Sequence, residues 1–355
     1  MTKLQTLMNT LPQDMDAALI LSETNRQYYT GMHTSAGVLL VTRQQAYFLV
    51  DFRYYEAACK QVTDCQVVLR ERLYPQLQKL MDQQNLRRIG LEDAYLTVAE
   101  YNALKENLSV ELISDGRLSR LIFDQRMVKT PEEIALIKRA QEYTDRAYLH
   151  ILDYIRPGRT EREIALELEF FARRLGADGI SFDFIVVSGA NGSLPHGVPG
   201  NRPVAKGDFI TMDFGVRSNG YCSDMTRTVA LGSISEKQQQ VYDLVLKAHL
   251  ESMQAVKPGV PCQEIDAVAR RIIEQGGYGD CFGHALGHGV GLEIHEEPRF
   301  GKGCETLCAP GQVVTIEPGI YLPGEFGVRI ENMVLVTQDG FEDLTKSSRE
   351  LVILQ

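Results

Sequence analysis

Over roughly the first 120 residues, short runs rich in aliphatic and β-branched side chains alternate with longer stretches of mixed polarity. The runs at 17–21, 37–41, 46–50, 66–69 and 88–91 have strand length, with helix-like segments between them, and this alternation predicts a small α/β domain over residues 1–124. The pattern changes at Lys129-Thr130-Pro131-Glu132-Glu133. Thr130 can cap a helix, Pro131 suits its first position and Glu133 completes a capping box, so a long helix is expected to begin there. Its apolar residues, Ile134, Ile137, Ala140, Ala147, Ile151 and Tyr154, recur at helical spacing until Arg156-Pro157-Gly158 ends the pattern. A second, larger domain is therefore expected over 130–355.

Within that second domain the pattern repeats once. Ile155-Arg156-Pro157-Gly158 followed by Glu163-Ile164 is echoed by Val256-Lys257-Pro258-Gly259 followed by Glu264-Ile265. Each copy opens an amphipathic helix that runs out in glycine, at Gly176 and at Gly276-Gly277. Further on, the segment 205–215 is echoed by 309–319, which sets Asp213 against Glu317. A turn and another strand-like run follow in both copies, carrying Asp224 in the first and Glu331 in the second. Two copies of one helix-plus-hairpin unit, related by a pseudo-two-fold axis, are predicted.

Strand alternation puts Asp213 on one face with Thr211 and Phe209, and Asp224 with Thr226; it puts Glu317 beside Thr315, and Glu331 beside Arg329 and Met333. Carboxylates flanked by core-type residues are expected to be buried. Four of them cannot stay ionised together in a poorly polarisable interior unless cations neutralise them, so two divalent ions are predicted. Between the second helix and Glu317 three of the seven histidines, His284, His288 and His295, fall within twelve residues, in a stretch too glycine-rich for a helix interior. Imidazole beside carboxylates, with no cysteine in the set, favours a harder ion: Mn²⁺, with Co²⁺ or Zn²⁺ as alternatives. His196 lies in the first repeat near the place His295 takes in the second.

Composition narrows the function classes. The formal net charge of -10 offers no basic stripe for a nucleic acid. No apolar run approaches the roughly 18 residues of a membrane span, and the first residues show no charged-then-apolar leader, so no membrane partner and a cytoplasmic location are expected. The seven cysteines lack Cys-x-x-Cys spacing, which predicts neither a disulfide framework nor a zinc ribbon.

Five segments in order, Met212-Asp213-Phe214-Gly215, 223–228, 287–296, Ile316-Glu317-Pro318-Gly319 and 328–332, resemble the pita-bread metallopeptidases (peptidase M24), in the aminopeptidase P and prolidase branch. The resemblance implies an α+β pita-bread catalytic domain behind a smaller creatinase-like N-terminal domain. It implies that Asp224 and Glu331 bridge two ions, that Asp213 completes one and that His288 with Glu317 completes the other. His196 and His295 would flank the scissile bond, Glu317 would carry a proton, His284 would lie near the substrate and Arg329 would support the ligands. The implied activity is hydrolysis of the Xaa-Pro bond at a peptide N-terminus, by an aminopeptidase or, alternatively, by a dipeptidase whose carboxylate contact could come from Arg53, Arg329 or the 30–35 segment; a homodimer is the implied assembly. A metal-free creatinase, a methionine aminopeptidase and a non-catalytic peptide-binding module are rivals. The first would lack the acids, the second the N-terminal domain, and the third an intact set of ligands.

Overall fold

The computed structural model describes residues 1–355, which divide into the units Met1–Arg126 and Met127–Gln355. In the first unit the five apolar runs are strands, and Glu111–Ile113 adds a sixth. Across the sheet the order is Gln66–Leu69, Ala46–Val50, Val38–Thr42, Ala17–Ile20, Arg88–Leu91 and Glu111–Ile113. The central strands are buried at every position, because helices cover both faces and leave no side for polar residues.

The second unit opens with the expected helix, Pro131–Tyr154, whose first turn is closed by the Thr130–Glu133 capping box. Helices Pro131–Tyr154 and Glu161–Arg174 back a four-stranded sheet ordered Ile353–Leu354, Met225–Leu231, Phe209–Phe214, Ile185–Ser188. Helices Glu236–Ala255 and Cys262–Gln275 back a five-stranded sheet ordered Glu296–Phe300, Gly287–Gly289, Val313–Ile316, Asn332–Val336, Phe341–Asp343. Each half has its own core: Ile151, Ile164, Leu168 and Val229 in the first, Val245, Ile265, Ile273 and Val334 in the second. Each of these buried aliphatic side chains contributes about 1.5–3 kcal/mol relative to exposure, which fixes the helix pairs on the sheets.

The repeat extends to small structural details. The bridge Thr160↔Pro203 in the first half is matched by Pro261↔Leu307 in the second. The Asp208 carboxylate accepts from the Ala205 N–H at 2.8 Å, and the Gln312 side-chain oxygen accepts from the Ala309 N–H at 2.9 Å. Both contacts brace the turn before the strand that leads to an acid, Asp213 or Glu317. No helix is long and apolar enough to cross a membrane.

Candidate metal centre

Asp213 projects from the Phe209–Phe214 strand, directly opposite Thr226. The other three acids do not sit inside strands, as alternation had predicted. Asp224 lies between the strands Tyr221–Cys222 and Met225–Leu231, Glu317 follows Val313–Ile316, and Glu331 lies between Phe326–Arg329 and Asn332–Val336. At a break the backbone leaves its own ladder and can bond elsewhere. The Glu331 N–H donates to the Thr226 carbonyl at 3.1 Å, and the Glu317 N–H donates to that of Leu286 at 2.8 Å. The first of these bonds, with the Thr226 hydroxyl donating to Glu331 Oε2 at 2.7 Å, ties the second half's acid to the first half's strand.

The ligating atoms of Asp224, His288 and Glu331 all lie within 4.8 Å of one another. His288 Nε2 stands 3.6 Å from Asp224 Oδ2 and 3.4 Å from Glu317 Oε1. Its Nδ1 faces the Gly289 carbonyl at 3.1 Å; a carbonyl can only accept, so Nδ1 carries the proton and Nε2 turns a lone pair towards the acids. Two donors each about 2.1 Å from one ion are separated by about 3.4 Å in tetrahedral geometry, the spacing seen here. Asp213 Oδ1 and Asp224 Oδ1 are buried without a hydrogen-bond partner, which suits a cation and little else. The residues present therefore fit divalent ions.

Electrostatics agree with this fit. Burial, reinforced by Glu331, Asp213 and Glu317, holds the Asp224 carboxyl well above the usual range, and burial with Glu331 does the same to Glu317. Glu331 is pushed up to about 8, by burial first and then by Asp213. Burial, helped by the neighbouring His295, pulls His288 down to about 4 and keeps its imidazole neutral.

Arg329 links the remaining predicted residues. Its guanidinium donates to Asp213 Oδ2 at 2.6 Å, to the Thr226 hydroxyl at 3.1 Å, to the Tyr321 hydroxyl at 2.8 Å and to the Pro195 carbonyl at 3.3 Å, beside His196. Tyr321 in turn faces His284 Nε2 at 2.9 Å; because His284 Nδ1 is bonded to the Ala285 carbonyl at 2.8 Å, the tyrosine is the donor. Burial, with Arg329 next, lowers His284 to about 4. His196 and His295 are both exposed, and the His295 ring meets the His288 ring edge-on at 4.5 Å. Burial of part of its ring lowers the His295 pKa against the pull of Asp213.

Of the other histidines, His33 pairs with Glu23, His150 stacks on Phe171, and His249 is buried with Nδ1 on the Ile316 carbonyl. Cys304 and Cys308 are free thiols, outside the acid cluster. Arg53 is salt-bridged to Asp51 in the first unit. Two residues escaped the sequence reading. Tyr321 looks like any strand tyrosine, and Arg299 like any exposed position of an alternating strand. Arg299 is directly opposite His288 in the antiparallel pair, and opposite residues project from the same face of a sheet.

The metallopeptidase family M24 model matches residues 135–338, and the creatinase/prolidase N-terminal domain model matches residues 1–128. The chain is 38% identical to an Xaa-Pro dipeptidase of Pyrococcus furiosus over 95% of both chains. Its structure resembles an Xaa-Pro dipeptidase from Bacillus anthracis with a TM-score of 0.95 and 42% identity, over 99% of each chain. An X-Pro aminopeptidase from Thermotoga maritima is also similar, with a TM-score of 0.89 and 36% identity over 96% of this chain and 98% of that one. Paired sheets that bring acids together from two repeated halves, behind a creatinase-type first domain, place this chain in metallopeptidase family M24, with the α+β pita-bread fold.

Proposed function

We propose that the chain is an Xaa-Pro dipeptidase that holds two divalent ions on Asp213, Asp224, His288, Glu317 and Glu331. The observation that carries the metal assignment is the convergence of Asp224, His288 and Glu331 beside buried, unpartnered carboxylate oxygens. In this reading Asp224 and Glu331 would serve both ions, Asp213 would complete one, and His288 with Glu317 would complete the other. Oxygen-rich ligation with one imidazole and no thiolate suits Mn²⁺, with Co²⁺ and Zn²⁺ as alternatives. When bound, the ions would supply Lewis-acid polarisation of the scissile carbonyl and a water acidified towards neutrality.

The chain's own residues do the rest. Glu317, held by the Thr315 hydroxyl at 3.4 Å, receives the proton of the attacking water and returns it to the leaving nitrogen of proline. That nitrogen carries no hydrogen in the peptide, so recognition cannot depend on donation from it. His295 has a ring N–H to donate to the oxygen that becomes negative, with His196 on the opposite side. His284 and Tyr321 line the substrate side, and Arg329 keeps Asp213 and Tyr321 in place.

The dipeptidase reading is preferred over the aminopeptidase one for two reasons. Relatives at 38% and 42% identity bear the dipeptidase name. Arg299 is exposed, on the face of His288, and forms no ion pair, so it can receive the free carboxylate that follows proline in a dipeptide. Arg329 cannot, because its donors are already engaged. The test is turnover of Ala-Pro against Ala-Pro-Ala with added Mn²⁺, for the wild type and Arg299→Met. A strong dipeptide preference that Arg299→Met weakens through KM is expected; equal or better cleavage of Ala-Pro-Ala by the wild type would return the aminopeptidase reading.

A further inference from the structure

A buried ion pair adjoins the exposed His295 in sequence, outside the ligand set. Lys129 Nζ and Glu296 Oε2 are 3.1 Å apart, with side chains only 1% and 5% exposed. Lys129 stands two residues before the Pro131–Tyr154 helix, where its N–H donates to the Gly311 carbonyl at 2.9 Å and its ammonium reaches the Met127 carbonyl at 3.4 Å. It is thus fixed at both ends. Glu296 immediately follows His295 and opens the Glu296–Phe300 strand.

The Glu296 carboxylate also organises the loop that leads back to His288. Its Oε1 accepts from the Glu293 N–H at 3.1 Å, and a Cβ placed on Gly291 would lie 2.5 Å from both of its oxygens. Only glycine lets the carboxylate sit there. Gly291 is itself held from outside, its carbonyl accepting from the Cys222 N–H at 2.8 Å. The register between the two strands slips between His288 and Gly289, so the ladder alone does not set where the segment ends. A buried pair is a weak device for stability, since apolar residues of similar size would serve as well or better, whereas a charge pinned from two sides is a strong device for geometry.

We propose that Lys129 and Glu296 are positioning residues that hold His295 against the reacting bond, an inference that rests on the catalytic reading of His295 above. Neither touches substrate; both act through the backbone of 291–296.

The test is a double-mutant cycle on the full, Mn²⁺-loaded chain, with Ala-Pro as substrate and metal content measured in each variant. In Lys129→Met, kcat is expected to fall at least about tenfold, with KM changed less than about threefold and two ions retained, as for a misplaced catalytic group. Lys129→Arg should recover most of that rate. In a His295→Ala background, Lys129→Met should cost no more than about twofold further, because the group it positions is already gone. Glu296→Gln, which keeps the shape and the bond from Glu293, should behave like Lys129→Met and stands in for it if the lysine variant does not fold. An unchanged kcat in both, a loss that multiplies with that of His295→Ala, or a loss that tracks missing metal would overturn the proposal while leaving His295 in its role. A silent His295→Ala would remove that role, and the proposal with it.

Discussion

Arg329 is a charged side chain 3% exposed, and the site explains why it is there. One guanidinium holds an acid from the first half, a threonine that bonds an acid from the second, the tyrosine on His284 and the carbonyl beside His196. Its planar fork reaches these partners in different directions, which an ammonium on a single stem cannot do. Arg329→Met should therefore destabilise the fold by about 3–5 kcal/mol, as expected when one partner of a buried ion pair is lost, and denaturant melts of the metal-loaded protein would measure it. Glu331→Gln keeps the shape of its side chain but loses the charge that, in the proposed arrangement, would serve both ions; metal analysis should find fewer than two per chain, and turnover should fall with it. Normal content and rate would exclude the bridging role. The acids were legible as residues because the repeat sets Asp213 against Glu317 and Asp224 against Glu331. Tyr321, Arg299 and Lys129 carried no such mark, since their roles depend on neighbours distant in sequence that only the folded chain brings near.

The elements show where alternation works and where it stops. The Pro131–Tyr154 helix was readable from its capping box, and five of the six N-terminal strands from their apolar runs. Glu111–Ile113 was not, because a three-residue edge strand with partly exposed positions has no period to detect. Three of the four acids sit at strand breaks, which the two-residue period cannot foresee: a break is defined by where the partner strand leaves, and that is a tertiary event. The Phe326–Arg329 strand makes a further point. A Cβ on Gly327 would lie 2.0 Å from the Gly192 carbonyl oxygen, so this glycine permits the turn ahead of His196 to pack directly on the strand that carries Arg329. Gly327→Ala should cost about 3 kcal/mol, because a backbone carbonyl cannot step aside as a side chain can. It should also lower kcat by displacing the His196 segment, so a fully active, equally stable variant would show that this contact is not needed.

At the scale of the whole catalytic unit, two halves with separate cores meet at one concentration of negative charge. Without cations, a carboxyl whose folded pKa lies above its unfolded value favours the fold while protonated. That contribution is complete below about 4.5, and for Glu331 it is lost as the pH rises through about 8. His288 and His284, lowered to about 4, act in the opposite sense: their contribution is complete above about 6.5 and is lost as the pH falls towards 4. Between about pH 6.5 and 8 the contribution of His284 and His288 is nearly complete and changes little, so the acids decide the slope. The melting temperature of the metal-stripped chain should fall across that window, and saturating Mn²⁺ should flatten the slope as well as raise the curve. The most direct test of the account is calorimetric titration of the stripped protein with Mn²⁺ at pH 7, in buffers of different ionisation enthalpy. Two ions bound per chain with release of about one proton or more is the predicted result, because acids held protonated by burial and by one another must ionise to become ligands. Fewer than two ions, or binding without proton release, would contradict it.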